Sequence, residues 1–453
     1  MRLRPIYASL LLPLVLPLGC FEDPPQTNDD DGGTEVGDGD GDPTGDGDGE
    51  PGDGDGEPGD GDGEPGDGDG EPGDGDGEPG DGDGEPGDGD GEPGDGDGDP
   101  GACADGPYAV SYMDATMLEI GANSQGVTIG DVDNDGDIDV IGTSRDEHLI
   151  AVHLNAGNGS FNGPMITDLG EGTLPEIVIG GAIADGVFDV VFRAFTNGTV
   201  LARMRGDGRG GFYDYESFQP ESGTFALGLA TGDDALDVVM PGAQKLLVYV
   251  ASIGQESYFP PNIVESPAPF GGANTIGVGD FDGDDYHDVA VATFGNLYVG
   301  IGNGAAEFDF ATPLPFTGGP TGIASGDVTG DGVVDIVLTT AGGGSDAGHV
   351  FAGNGDGTFM PDEEISAPSG PTAVAVADID LDGIDDVAAT GSNGTMAVYL
   401  ATGDANFGPA KQVTCSGTNT RQLWIGDLNG DCVGDVVTVT TNAGACVMMS
   451  TPP

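Results

Sequence analysis

Seven times the chain writes a short apolar segment, a nine-residue acid-rich loop, and a second apolar segment that mostly opens with Asp-Val or Asp-Ile. The clearest copy runs Gly126-Val127-Thr128-Ile129-Gly130, then the loop from Asp131 to Asp139, then Val140-Ile141. The loops start at positions 131, 181, 229, 280, 327, 378 and 427. Short apolar runs rich in Val and Ile and bounded by turn residues read as β-strands. A near-constant period of about 50 residues, in a unit that cannot bury its own apolar face, points to an array or a propeller.

Most repeats then carry a Gly-rich turn, and several close on an aromatic, as in Gly157-Asn158-Gly159-Ser160-Phe161 and Gly353-Asn354-Gly355-Asp356-Gly357-Thr358-Phe359. Turn and aromatic together suggest a hairpin with a buried anchor. One unit is therefore strand A, loop, strand B, strand C, Gly-rich turn, strand D. The last unit stops after Cys446-Val447-Met448-Met449, before any strand D, and the N-terminal side holds a spare one. Tyr112 precedes Asp131 by the same interval as Phe359 precedes Asp378. Met113 to Ile120 is thus predicted to be the strand D of blade seven, closing the ring and removing its open edge. The fold class is all-β, a seven-bladed β-propeller.

The loops read as calcium sites. Calcium takes six to eight oxygens in flexible geometry. Acids at positions 1, 3, 5 and 9, the carbonyl of position 7, and a left-handed turn at position 6 can wrap one ion. The first loop offers Asp131, Asp133, Asp135, Asp137 (carbonyl) and Asp139; another offers Asp378, Asp380, Asp382, Ile384 (carbonyl) and Asp386. A third has Asp280, Asp282, Asp284, Tyr286 (carbonyl) and Asp288, and a fourth Asp427, Asn429, Asp431, Val433 (carbonyl) and Asp435. A fifth, weaker loop keeps Asp327, Asp331 and Asp335 but has Thr329 at position 3. Four to five structural Ca2+ ions follow. Two loops have decayed: Gly181 and Ile183 precede Asp185 and Asp189, and Leu229 and Thr231 precede Asp233 and Asp237. These are expected to be metal-free. An EF-hand would need Glu at position 12 and flanking helices. The chain has Gly142, Val291 and Ala389 there, with strand-like sequence after them.

With these loops on the page, residues 104 to 453 resemble FG-GAP repeats, also called VCBS repeats, of integrin α-chain heads and many bacterial surface proteins. The resemblance implies a seven-bladed propeller with calcium in the inner hairpins on one rim. It names no ligand.

Blade geometry orders the remaining chemistry. Cysteines 103, 415, 432 and 446 allow three pairings; in an exported chain an even number suggests disulfides. Cys103 and Cys432 fall on the metal rim, Cys415 and Cys446 on the other, so Cys103–Cys432 and Cys415–Cys446 are the expected bonds. The rim opposite the metals is expected to carry Arg145, His148, Arg193, Lys245, His349 and Arg421. They would form a positive or neutral face for a surface protein or a glycan, with Phe195 and Phe294 for apolar contact. Trp424 is expected to pack in the core or channel. Arg205-Gly206-Asp207 spells an integrin-recognition tripeptide, and chance accounts for it in so Gly- and Asp-rich a chain.

Composition changes the picture at the N-terminal end. Arg2 and Arg4 precede an apolar run from Ile6 to Leu18, too short to span a bilayer and read as an export signal, residues 1–19. Leu16-Pro17-Leu18-Gly19-Cys20 resembles a bacterial lipoprotein box with Cys20 lipidated; an ordinary secretory signal is the alternative. Residues 20–102 form an acidic tether that repeats Gly-Asp-Gly-Asp-Gly-Glu-Pro, with nothing to bury, and are expected to be disordered. The formal charge is -71. Of the 81 acids, 33 lie in residues 21–100, leaving 48 against eight Lys and Arg in the folded part, 103–453. A surface that acidic excludes nucleic acid as a partner. The reading is a monomeric, non-enzymatic, calcium-stabilised binding or scaffolding lipoprotein of a bacterial surface or outer membrane, touching the membrane through its lipid only. A polysaccharide hydrolase or lyase is the alternative. It lacks support, because none of His148, His153, His287 and His349 sits in a ligand or nucleophile motif.

Overall fold

The computed structural model describes residues 106–451, apart from 183–185, 197, 219–223, 234, 243, 252–259, 266–269, 271–274 and 343–345. Cys20, the acidic tether and Cys103 lie outside the described residues.

Seven antiparallel sheets follow one another along the chain. A short strand, β1 (Thr116–Leu118), comes first. Blade one is β2 (Ser124–Gly130), β3 (Asp139–Ser144), β4 (Leu149–His153) and β5 (Met165–Asp168). Blade two is β6 (Leu174–Ala182), β7 (Phe188–Phe195), β8 (Thr199–Gly206) and β9 (Phe212–Phe218). Blade three is β10 (Ala226–Gly228), β11 (Asp237–Pro241), β12 (Lys245–Tyr249) and β13 (Asn262–Glu265). Blade four is β14 (Thr275–Gly279), β15 (Asp288–Thr293), β16 (Asn296–Gly302), β17 (Phe308–Phe310) and the added β18 (Leu314–Pro315). Blade five is β19 (Gly319–Gly326), β20 (Asp335–Ala341), β21 (Ala347–Phe351) and β22 (Glu363–Ser366). Blade six is β23 (Pro371–Ala377), β24 (Asp386–Gly391), β25 (Thr395–Tyr399) and β26 (Lys411–Thr414). Blade seven is β27 (Thr420–Gly426), β28 (Asp435–Thr440) and β29 (Gly444–Met448), completed by β1.

Ring closure is as the repeat spacing predicts. β1 pairs antiparallel with β29, Thr116 opposite Val447 and Leu118 opposite Ala445. A bridge between Tyr112 and Ser450 and a Thr451 N–H to Ser111 carbonyl bond of 2.7 Å extend it.

Strands B and C read as near-continuous apolar runs because both faces of a blade are covered there, whereas the outermost strands, such as β5 and β13, are largely exposed. Buried side chains gather in layers between neighbouring blades, such as Val178, Phe192 and Val200 of blade two against Ile141, Ile150 and Val152 of blade one. The apolar residue at loop position 2 is buried in all five acid-rich loops: Val132, Phe281, Val328, Ile379 and Leu428. It seats each loop against the next blade. The Phe281 carbonyl accepts from Gly357 N–H of the blade-five turn at 3.0 Å, and Phe359 of that turn meets the Phe281 ring edge-on at 5.4 Å. The loop of blade six meets the chain's leading segment as well, Gly106 and Tyr108 N–H donating to the Leu381 and Asp380 carbonyls. At the centre, strands A of blades seven, one and two converge. Gln422 Nε2 donates to the Val178 carbonyl at 2.9 Å, and Trp424, buried in the core, donates to the Val127 carbonyl at 2.6 Å. Gly126 permits this approach, since a Cβ there would lie 2.3 Å from the Glu176 carbonyl oxygen.

Candidate metal centres and the opposite rim

Each acid-rich loop builds itself from backbone donors. The position-1 carboxylate takes the N–H groups of positions 5 and 6: Asp131 from Asp135 and Gly136, Asp378 from Asp382 and Gly383. The position-5 carboxylate takes the N–H of position 7, as Asp284 does from Tyr286 at 2.9 Å. Positions 4 and 6 are left-handed throughout. Gly serves in most, but Asn134, Leu381, Asp285 and Cys432 hold φ of 60°, 58°, 73° and 72°, each costing roughly 1–2 kcal/mol.

The position-9 acid is the pivot. In all seven repeats it is fully buried: Asp139, Asp189, Asp237, Asp288, Asp335, Asp386 and Asp435. One oxygen always accepts from the backbone at the end of strand C, for example Asn155 N–H at 2.7 Å and Gly302 N–H at 2.6 Å. Burial pushes Asp139 and Asp288 up to about 7 and Asp386 to about 8.

Three loops then bring positions 1, 3 and 9 together. One oxygen from each of Asp131, Asp133 and Asp139 lies within 4.8 Å of the others, and the same holds for Asp280, Asp282 and Asp288 and for Asp378, Asp380 and Asp386. In all three, one atom repeats: the position-3 Oδ1, of Asp133, Asp282 and Asp380, is buried with no hydrogen-bond partner. A buried carboxylate oxygen beside two other carboxylates is unfavourable unless a cation joins them. The donor set is all oxygen, and these residues fit a hard cation such as calcium. Bound there, the ion would supply the positive charge the triad lacks.

The other two acid-rich loops do not form such a triad. In the seventh, the Ser450 hydroxyl lies 3.0 Å from Asp431 Oδ1 and 2.8 Å from Asp435 Oδ1, and Asn429 turns its amide nitrogen to Asp435 Oδ1 at 3.5 Å. In the fifth, Asp327 takes three N–H groups, from Gly330, Asp331 and Gly332, while Thr329 brings a hydroxyl where others bring an acid.

In the two decayed loops a side chain of the blade itself meets the buried acid. In blade two, Arg203 does so: its Nε and Nη2 lie 3.1 and 2.5 Å from Asp189 Oδ2, with both side chains buried. The register locates this residue. Arg203 pairs with Val191, and the corresponding strand-C residues are Val152, Val248, Val299, Val350, Val398 and Val447, valine in six blades of seven. The sequence reading missed Arg203, although aligning the strands C would have exposed it. In blade three the Thr231 hydroxyl sits 3.0 Å from both Asp233 Oδ1 and Asp237 Oδ2. One hydroxyl proton cannot serve two carboxylates. Burial first of all pushes Asp237 up to about 7. Asp237 therefore favours the fold below its unfolded value near 4, and that contribution is lost as pH rises through about 7. Asp237→Asn is expected to melt higher than wild type at about pH 8, with the advantage shrinking as pH falls toward 4; calorimetry at several pH values checks this, and a lower melting point at pH 8 refutes it.

Cys415 and Cys446 are disulfide-bonded, with Cα atoms 6.0 Å apart, tying blade six to blade seven. Cys432 is also disulfide-bonded. Arg205-Gly206-Asp207 is structural: Gly206 N–H donates to Asp189 Oδ1, and Asp207 caps the turn through Arg209 and Gly211 N–H.

On the rim opposite the loops, Arg145 and Arg193 converge on Glu176. Arg145 Nη1 lies 2.9 Å from Oε1 and Arg193 Nη2 2.6 Å from Oε2, and the Arg145 guanidinium stands 5.6 Å over the Phe195 ring. Arg421 is exposed, Lys245 half-buried, and His148 half-buried with Nδ1 2.7 Å from the Thr173 carbonyl. Phe294 is 76% exposed at the β15–β16 turn. His349 is a correction: it was expected on this face and is fully buried instead. Its ring turns from the rim toward Phe316, Thr340 and Asp362 because strand C faces the neighbouring blade there.

Fold and loops together define a seven-bladed β-propeller whose A–B loops carry acidic clusters able to hold metal. Residues 280–338, 327–389 and 378–438 match the FG-GAP-like repeat, so the protein is a β-propeller that carries FG-GAP-like repeats. No curated protein matches the chain in sequence. Among solved structures, an Agrocybe aegerita lectin described as recognising non-reducing terminal N-acetylglucosamine is similar at 18% identity and TM-score 0.51, covering 76% of this chain and 98% of the lectin. A Burkholderia pseudomallei lectin is similar at 17% identity and TM-score 0.52, covering 73% and 96%. At these identities the likeness is one of fold.

Proposed function

We propose that the protein is a non-enzymatic binding platform: calcium stabilises the propeller from one rim, and the other rim takes an anionic glycan. The observation that carries the binding reading is the Arg145–Glu176–Arg193 cluster beside Phe195. Two guanidiniums on one carboxylate leave a net positive charge in an otherwise acidic molecule, and the half-exposed Arg145 can turn further donors to a carboxylate or sulfate. The Phe195 ring, with exposed Phe294 in the turn of blade four, offers the flat apolar surface a sugar face needs. The lectin folds of the similar structures support the same reading. The orphaned oxygens of Asp133, Asp282 and Asp380 support calcium as the structural ion. Lipidation at Cys20, with the acidic segment as spacer, would display the platform at a bacterial surface.

The test is a glycan array in calcium buffer with a chelated control. Removing both arginines alone would strand Glu176, which is only 7% exposed. Arg145→Gln, Glu176→Gln and Arg193→Gln are therefore combined. The triple variant is expected to lose the acidic-glycan signal at least about tenfold, the order expected when charge-assisted bonds are lost, with calcium-dependent melting unchanged. A variant that binds every wild-type glycan normally moves the binding face elsewhere.

A further inference from the structure

His349, on β21, is fully buried, at a position where a propeller blade needs only an apolar residue. Its Nδ1 lies 2.9 Å from Asp362 Oδ2 and its Nε2 3.1 Å from Thr340 Oγ1. Glu364 stands directly opposite His349 in the β21–β22 register, and Asp362, two residues earlier, shares its face. One ligand atom from each of His349, Asp362 and Glu364 falls within 4.8 Å of the other two. Among the described residues neither carboxylate is ion-paired to Lys or Arg.

A hydrogen-bonded His–Asp pair would account for Asp362 but not for a second acid at the same imidazole. The surroundings are also arranged as a metal's outer shell is. Thr340, buried on β20, can accept from Nε2–H, and in that tautomer the Nδ1 lone pair faces the two carboxylates. The Thr317 hydroxyl, from the segment entering blade five, lies 3.3 Å from Glu364 Oε1 and steadies the third ligand. Glu364 is exposed, so the outer side is open to water or an incoming ligand.

We propose that His349, Asp362 and Glu364 form a binding site for a borderline divalent transition ion of the zinc class, separate from the all-oxygen loops. The imidazole nitrogen makes the distinction: calcium and magnesium prefer oxygen alone, whereas zinc takes nitrogen and carboxylate together with a remaining open position. The ion would tie the two outer strands of blade five together. The site does not depend on the glycan reading, and its test uses calcium only to block the acidic loops.

Zinc chloride titrated calorimetrically into the intact, calcium-saturated protein is expected to show one equivalent bound. Saturating calcium keeps zinc from the acidic loops. Glu364→Gln alters only an exposed side chain, and Asp362→Asn keeps a hydrogen bond to the ring; each is expected to weaken zinc at least about tenfold while melting as wild type does without zinc. Co2+ in place of zinc should give ligand-field bands in the wild type that both variants lose. Absence of stoichiometric zinc uptake by the wild type, or unchanged zinc affinity in both folded variants, overturns the site.

Discussion

Chelating calcium is expected to lower the melting temperature by roughly ten degrees or more. Extracellular sites of this chemistry bind at about 10⁻⁴ to 10⁻³ M, and calcium a hundredfold above that constant contributes about 2.7 kcal/mol per site. Three carboxylate triads would together contribute about 8 kcal/mol, large beside the usual 5–15 kcal/mol of a whole domain. The sharper form of the test uses Asp380, 6% exposed, whose Oδ1 is orphaned and whose carboxyl is pushed up to about 6, first by burial and then by Asp382 and Asp378. Asp380→Asn removes one ligand charge. It is expected to lower the melting point in calcium and to raise it in chelator, where the change relieves repulsion among Asp378, Asp380 and Asp386. Magnesium should restore little, because it resists a multidentate carboxylate cage. A chelated protein that melts where the calcium-loaded one does would remove the structural role of the loops.

Arg203→Val is expected to cost about 3–5 kcal/mol, as stranding one partner of a buried ion pair does. The residue introduced is the one that six blades already carry at that place, so the loss cannot be assigned to poor packing. It should be the same with and without calcium, since Arg203 serves a blade whose loop has lost its first two acids. Adding Asp189→Asn removes the stranded charge and is expected to recover part of the loss. Thermal melts of wild type, both single variants and the double variant in calcium and in chelator decide this. A loss confined to the calcium-loaded protein would mean that blade two holds metal after all.

The ring was legible in the sequence because its determinants are local. The loops announce themselves through acids at fixed offsets, and the missing strand D of blade seven left a countable gap that Thr116–Leu118 fills. The left-handed turn at loop position 6 followed from loop chemistry too, even where Asp285 and Cys432 replace glycine, but the one at position 4, held by Asn134 and Leu381, did not. What stayed hidden depends on side chains that meet across strands. Arg203 reaches Asp189, Ser450 enters the seventh loop, and Glu364 faces His349 only once hairpin register is known. Register depends on B–C and C–D turns whose lengths vary from blade to blade. His349 went to the wrong place for that reason: a histidine near a turn reads as exposed, while its parity on β21 turns it inward.

The pairing of β1 with β29 also fixes an order of events. Blades one to six are each built from strands consecutive in sequence, so each can form as its own segment is made. Blade seven cannot: the first strand described must wait for the last, and Thr116 to Val447 is among the most sequence-distant contacts in the molecule. Contacts of that separation form late, after the loop-closure entropy has been met. Until then the nascent protein is an open arc whose terminal blades expose apolar faces, Val127 and Ile129 on one flank and Val447 and Met449 on the other, that the finished ring buries. Aggregation during synthesis is expected to come from that arc, and early encounter of the two ends, rather than stability of any single blade, is expected to govern the yield of folded protein.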